Sequence, residues 1–135
     1  MGTAFKIWAL AIIYQNVIFS IMPGEFSDGL VLFLIPVELA GGLPGLFLFG
    51  AIMYSLYIGQ YPLIIKWLIA VFGAIFSALA TTLLTALFFE VKPAELFNDV
   101  FYLLYPAPLS ALLSLLTFIP SVNKYFDENT IEKNP

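Results

Sequence analysis

The chain has 135 residues, of which 61% are hydrophobic and 10% are charged, and its mean hydropathy is +0.99. A soluble domain carries about a quarter charged residues, so this chain has too little polar surface to cover a water-exposed globule. The net charge of -4 and the lack of His, Cys and Arg argue against nucleic-acid binding, the common zinc and haem ligand sets and Ser-His-Asp catalysis. We therefore expect an all-α integral membrane protein, covered by the lipid bilayer, with no cofactor and no metal.

The first apolar run predicts a membrane span over residues 4–22. Lys6 would extend its stem along the helix and keep its charge at the interface. A basic start before an apolar run is also typical of a signal peptide, but residues 20–24 lack a small-x-small cleavage pair. We therefore interpret this run as a retained helix.

The second apolar run, residues 30–58, is too long for one straight crossing: it would measure about 44 Å against roughly 30 Å of hydrocarbon. Pro36, followed two positions later by Glu38, is typical of a helix start. We expect a span over 36–58, with residues 29–35 lying at the interface or entering the membrane as a short re-entrant piece. The glycines and proline of residues 41–45 should break or loosen this helix.

The third span is predicted over residues 67–89, which contain no charge. The fourth is predicted over 96–119, kinked by Pro106 and Pro108. Residues 121–135 are predicted to form a polar, mobile cytoplasmic tail. The expected fold is thus a bundle of four transmembrane helices over residues 1–120, with a broken second helix and a proline-kinked fourth.

The lysines predict the orientation of the bundle. With both termini in the cytoplasm, Lys6, Lys66, Lys124 and Lys133 lie inside and Lys92 alone lies outside. The reverse orientation places four of the five outside. We therefore expect cytoplasmic termini, in a bacterial inner membrane.

Three polar residues within the first two spans are candidate ion or ligand contacts. Glu38 is either a proton or cation ligand or a first-turn acid that complements the helix dipole, and its place after Pro36 favours the second interpretation. Gln15 and Asn16 lie at the middle of the first span, where amides need partners. Hydrogen bonds between helices are the simpler explanation for them, and a substrate contact is the alternative.

Tyr102 and Tyr105 are further candidates, because they precede the proline kink. Each proline lacks an amide donor, so carbonyl groups about one turn earlier, near Tyr102 and Leu104, lose their helical partner. The freed carbonyls require water, a hydroxyl or a ligand. A binding pocket and a purely structural kink both fit this pattern.

The third span has a small face and a bulky face. Small residues let helix backbones approach closely, so the small face is predicted to pack against other helices. The bulky face, which includes Phe72 and Phe76, would meet lipid or a partner. The predicted packing residues are Gly73, Ser77, Thr81, Thr85, Ala70, Ala74 and Ala78.

These patterns predict a non-enzymatic accessory or structural subunit of a larger membrane complex, joined to other membrane protein subunits or to copies of itself. The alternative is a small transporter or channel subunit for protons or cations that uses Glu38 and the break at residues 41–45. A membrane-embedded enzyme would need Glu90, Glu95 or Asp99 as an acid or base, and no catalytic partner for them is evident. We therefore expect no enzyme activity and assign no catalytic residue.

Overall fold

The computed structural model describes residues 2–21, 30–88 and 105–131, with side chains at all of these positions except 30–38, 86, 88 and 128–131. All regular secondary structure in these ranges is helical. The five described helices are α1 (Gly2–Ile21), α2 (Leu30–Ile58), α3 (Leu63–Phe88), α4 (Pro106–Thr117) and α5 (Ile119–Ile131).

Three segments are long and apolar enough to cross a membrane: Gly2–Ile21, Leu39–Ile58 and Leu63–Thr85. A fourth crossing is available if α4 and α5 act as one bent segment, since together they pass the same test and are bent by 68°. Helices suit this setting because each backbone amide finds its partner within the segment. The described residues therefore indicate a helical membrane protein with three or four apolar spanning segments.

The second helix differs from the sequence prediction at its start and at its centre. α2 begins at Leu30, six residues before Pro36, and is helical without interruption through residues 41–45. Residues 30–35 are all apolar, and a helix satisfies their backbone groups where hydrocarbon offers no partner. The predicted start at Pro36 and the predicted break in secondary structure were therefore wrong. The side chain of Glu38 lies outside the described residues.

The described part of the fourth predicted span contains a bend that the sequence did not predict. Pro106 and Pro108 are the first and third residues of α4. Amides in the first turn of a helix have no intrahelical acceptor, so the missing N–H of proline costs little there. The described bend lies at Phe118, whose amide hydrogen-bonds to Ser114 O and Leu115 O while its carbonyl accepts from Val122 N. Phe118 thus ends one run of helical hydrogen bonds and begins the next. The kink predicted at Pro106 depends on the direction of the chain before α4, which lies outside the described residues. Residues 96–104 lie outside the described residues.

The predicted polar tail is partly helical and partly buried. Residues 119–131 form α5, in which Val122 and Phe126, four residues apart, are almost completely buried. Residues at this spacing share one face of a helix. The prediction of a mobile tail was therefore wrong for residues 121–131, and residues 132–135 lie outside the described part.

The first four helices contact one another in a closed cycle: α1 with α2, α2 with α3, α3 with α4, and α4 with α1. α5 lies against α1, α2 and α4. All five helices contribute to one hydrophobic core, whose buried members are Ala4, Ile7, Phe49, Met53, Leu56, Ala70, Ala74, Ala111, Leu115, Val122 and Phe126.

Hydroxyl groups join α1 to α4 beside this core. Ser114 Oγ, which is completely buried, donates to the Ile7 carbonyl, and Tyr14 and Thr117 share a hydrogen bond of 3.0 Å between their hydroxyl oxygens. A hydroxyl inside an apolar bundle needs such a partner, because burying it unpaired costs about 1–3 kcal/mol by protein mutational data. These bonds therefore fix how α4 sits on α1.

Candidate functional site

At the glycine-rich part of α2, side chains of α1 and α3 come close to the α2 backbone. Trp8 Nε1 on α1 donates to the Gly42 carbonyl at 3.0 Å. A Cβ atom placed on Gly42 would lie 2.8 Å from the same nitrogen, closer than real side chains come. Glycine at this position therefore lets the indole reach the backbone of α2.

Two neighbouring glycines face α3 in the same way. A Cβ atom on Gly41 would lie 2.6 Å from Thr85 Oγ1, and a Cβ atom on Gly45 would overlap Thr81 Oγ1. The Thr81 hydroxyl is held in place because it donates to Ser77 O at 2.8 Å. Without a side chain at these two glycines, α2 and α3 come together along a row of hydroxyls. We call Trp8, Gly41, Gly42, Gly45, Thr81 and Thr85 the glycine contact.

The remaining predicted packing residues of α3 lie at or near the same interface and the core. A Cβ atom on Gly73 would lie 3.0 Å from two carbons of Ile52 on α2. Ala70, Ala74 and Ser77 are buried, and Ala78 packs against the core from a half-buried position. Phe72 and Phe76 on the other face are 68% and 63% exposed. The small residues of α3 thus turn inward and its bulky residues turn outward.

The predicted ligand candidates are described at three positions. Asn16 is buried, and its Nδ2 donates to Ile12 O at 2.8 Å along its own helix. Gln15 is half-buried, and Tyr105 is about half exposed just before α4 begins. Tyr102 and the carboxylate of Glu38 lie outside the described residues. The hydrogen bond described for the Asn16 amide nitrogen thus stays within α1 and does not reach Gln15 or Tyr105.

A second polar cluster, at the turn between α2 and α3, was not predicted as a site. Lys66 is 5% exposed, and its ammonium donates to the Phe126 carbonyl at 3.0 Å and lies 5.6 Å from the centre of the Phe126 ring. Trp67 Nε1 donates to Asn123 Oδ1 at 2.7 Å. We call Lys66, Trp67, Asn123 and Phe126 the α5 clamp, because these contacts hold α5 against the start of α3.

Aromatic contacts extend the α5 clamp towards α2. The rings of Trp67 and Phe126 meet edge to face with centroids 6.1 Å apart, and those of Tyr57 and Tyr125 lie 5.0 Å apart. The available sequence signal was the apolar spacing of Val122, Tyr125 and Phe126 just after Pro120, which is typical of a helix with one buried face. The polar composition of residues 121–135 concealed that signal.

The polar groups of the glycine contact and of the α5 clamp make contacts between helices. Their hydrogen bonds end on backbone carbonyls or on a side-chain amide, and the α5 clamp brings one cation onto a carbonyl and an aromatic face. Within the described ranges, no group of three or more His, Cys, Asp or Glu side chains lies close enough to hold a metal ion. The described hydrogen bonds of both clusters therefore hold helices against one another.

Comparison with known proteins identifies no relative of this chain. The chain matches no protein-family model, and neither the curated proteins nor the solved structures contain a significant match.

Proposed function

We propose that this chain is a non-enzymatic accessory or structural subunit of a larger membrane complex. The observation that carries the proposal is the division of α3 into two faces. Its small residues pack closely against α2, whereas Phe72 and Phe76, one turn apart, project outward. Large aromatic side chains dominate the energetics of protein interfaces, so this pair is a suitable anchor for a neighbouring subunit.

The use of polar groups inside the bundle supports the same proposal. The hydroxyls of Ser77, Thr81 and Thr82 each donate to the carbonyl four residues earlier, and the indoles of Trp8 and Trp67 bond across helices. Polar groups that serve interhelical contact stabilise a membrane bundle by roughly 0.6–2 kcal/mol each. The indole bonds of Trp8 and Trp67 are of this interhelical kind, whereas the three hydroxyl bonds stay within α3. The two indoles thus join helices of the bundle, as the packing of a structural subunit requires.

Isolation of the native assembly tests this proposal. The tagged chain is extracted from its own membrane in mild detergent and the intact particle is weighed by native mass spectrometry. Stoichiometric foreign subunits are expected. A lone monomer or a symmetric homo-oligomer contradicts the accessory role.

Cysteine cross-linking locates the interface, and the absence of natural cysteines makes single substitutions clean. Phe72→Cys and Phe76→Cys are expected to cross-link to a neighbouring subunit in native membranes. Ile13→Cys on α1 is the control, since Ile13 is exposed to a similar degree, 58%, on another helix. Cross-linking at Ile13 but at neither phenylalanine would place the partner on a different face.

The alternative function, a small transporter or channel subunit for protons or cations, depends on Glu38 and residues 41–45. The glycine contact gives it little support, because side chains of α1 and α3 occupy the space beside Gly41, Gly42 and Gly45. Flux into proteoliposomes tests the alternative directly. A cation or proton flux that Glu38→Gln abolishes would favour transport over the accessory role.

The membrane arrangement belongs to the same proposal. We infer a four-helix membrane bundle in which α4 and α5 form the fourth, bent segment, with both termini in the cytoplasm of a bacterial inner membrane. The lysine distribution supports this orientation. Single cysteines at Thr3 and Asp127 are expected to react with a membrane-impermeant maleimide in inverted vesicles and to be protected in right-side-out vesicles. The opposite labelling would reverse the orientation.

A further inference from the structure

An apolar cleft of about 300 Å³ lies on the outer surface of the bundle, between the start of α1 and the middle of α2. Two of its lining residues, Phe5 and Phe47, are 54% and 64% exposed, so the cleft opens away from the core. An apolar cavity of about 150 Å³ is enough to bind benzene, so this cleft has room for a phenyl ring. The lining residues are Gly2, Ala4, Phe5, Leu46, Phe47 and Gly50.

Gly50 borders the cleft without any described contact that requires a glycine. A Cβ atom on Gly50 would meet none of the described atoms within 4 Å, whereas at Gly42, two turns earlier, the indole of Trp8 occupies the space. Tyr54 follows Gly50 by one turn on the same side of α2 and is 60% exposed. Packing among the described residues therefore explains glycine at position 42 but not at position 50.

The register of α2 against α3 is defined by two contacts. A Cβ atom on Gly45 would overlap Thr81 Oγ1, and a Cβ atom on Gly73 would lie 3.0 Å from carbon atoms of Ile52. From the first contact to the second, the chain advances seven residues on α2 and goes back eight residues on α3. The two helices are therefore antiparallel and almost in step.

This register places Phe76 level with Gly50, and Phe72 level with Tyr54. Phe76 and Phe72 are 63% and 68% exposed on the outer side of α3. Two copies inserted in the same orientation are related by an axis along the membrane normal, so surfaces that meet in such an oligomer lie at equal depth. The two phenylalanines therefore have the depth that is needed to reach the cleft of a neighbouring copy.

We propose that the cleft receives a second copy of this chain, with Phe76 of one copy beside Gly50 of the other and Phe72 against Tyr54. The contact is head-to-tail, because different surfaces of the two copies meet, and its repetition closes a ring if the rotation allows it. This inference goes beyond the accessory role and does not depend on it, since two copies can meet with or without foreign subunits.

Aromatic surface supplies a large part of the area that such a contact needs. An aromatic side chain buries about 150–250 Å² when fully covered, so the exposed parts of the five rings in the contact amount to roughly 450–750 Å². Stable interfaces bury about 1,200–2,000 Å² in total, of which these rings supply about a third. The lining of the cleft and residues 67–89 carry no charge that the contact would bury. The five rings are Phe5, Phe47, Tyr54, Phe72 and Phe76.

Cysteine cross-linking between two differently tagged populations of the full chain tests the contact. The chain has no natural cysteine, so Phe72→Cys in one population and Tyr54→Cys in the other carry the only thiols and leave Phe76 and the cleft intact. A short bismaleimide is expected to join the two tags in co-expressing membranes. Phe72→Cys mixed with Ile13→Cys is the control, since Ile13 is 58% exposed on another helix, and it should give no product.

Two cross-linking results would overturn the proposal. A product between two copies of Phe72→Cys would mean that two α3 faces meet each other. No product between Phe72→Cys and Tyr54→Cys would leave the cleft to lipid.

Substitutions on either side of the contact form the second arm of the experiment. Phe76→Ala removes the ring, and energy transfer between labelled copies in detergent should show a dissociation constant raised roughly 30-fold, the factor typical of an interface hot spot. Gly50→Leu fills the cleft from within and should weaken association similarly, while the melting temperature is kept because helix propensity improves. Ile13→Ala and Ala40→Leu, at exposed positions outside the contact, should associate like the unmodified chain. Unchanged association in both Phe76→Ala and Gly50→Leu contradicts the proposal.

The composition of the native particle separates this inference from the accessory role. Two or more copies together with foreign subunits support both. Two or more copies alone support the head-to-tail contact and contradict the accessory role, whereas one copy with foreign subunits does the reverse.

Discussion

Removal of the Phe126 ring should release α5 from the bundle without unfolding the rest of it. Phe126 is 1% exposed, so Phe126→Ala loses the full contribution of a buried aromatic side chain. Its ring touches Trp67 edge to face and lies below the Lys66 ammonium. Both contacts belong to the α5 clamp, and α5 is not one of the four helices that form the closed cycle.

The size of the effect follows from that burial. Phe→Ala in a packed core costs about 3–5 kcal/mol, and we take the lower end because α5 lies at an edge of the bundle and its surroundings can relax. Since every 1.4 kcal/mol is tenfold, a loss of about 3 kcal/mol raises the opening equilibrium of α5 by roughly 100-fold. Hydrogen exchange measured by mass spectrometry on peptides covering residues 119–131 should show this increase.

The matched control is Ser121→Ala, which changes an exposed residue on the same helix. Its exchange should stay close to that of the unmodified chain, and peptides from α3 beyond the first turn should be unaffected in both variants. Unchanged protection of α5 in Phe126→Ala would refute the argument that buried contacts of this ring hold the helix in place. Loss of protection throughout α1 to α4 would show instead that the bundle depends on α5.

Two further variants probe the other contacts. Gly45→Ala would push a methyl group into the Thr81 hydroxyl and destabilise the bundle by about 1–3 kcal/mol, so the melting temperature in detergent should fall. The melting temperature should recover in the double variant Gly45→Ala/Thr81→Ala. It should rise in the control Gly50→Ala, where the methyl group has room. If Gly45→Ala and Gly50→Ala melt alike, the close approach of α2 and α3 is not what Gly45 serves. Lys66→Glu would set a carboxylate against the Phe126 carbonyl, and neither group can donate a hydrogen bond. Hydrogen exchange in α5 should therefore increase. Unchanged exchange would show that the Lys66 bond contributes nothing to the docking of α5 on α3.

Hydropathy and length were sufficient to predict helical, membrane-type segments in the first three apolar runs. They could not place the helix ends, because local signals compete with the surroundings. Pro36 looks like a helix start in sequence, yet the six apolar residues before it are helical as well. In an apolar setting an unpaired backbone costs more than one imperfect proline position, so the requirement for internal hydrogen bonds prevails.

The α5 clamp shows a different limit of sequence analysis. The lysine distribution placed Lys66 on the cytoplasmic side of the membrane and named no partner for it. Its actual partner, the carbonyl of Phe126, is sixty residues away in the chain. No local pattern encodes that pairing, and the apolar spacing of Val122 and Phe126 is too short to separate a docked helix from a polar tail.

Two glycines of α2, Gly45 and Gly50, illustrate why a residue type alone does not predict its role. Low helix propensity makes glycine a weak point in a helix, which is one reason why the sequence predicted a break at residues 41–45. At Gly45 the neighbouring hydroxyl of Thr81 turns the missing side chain into a close helix contact, whereas at Gly50 the missing side chain leaves open space beside α1. Substitution by alanine separates the two positions, because its effect on stability should be destabilising at Gly45 and stabilising at Gly50.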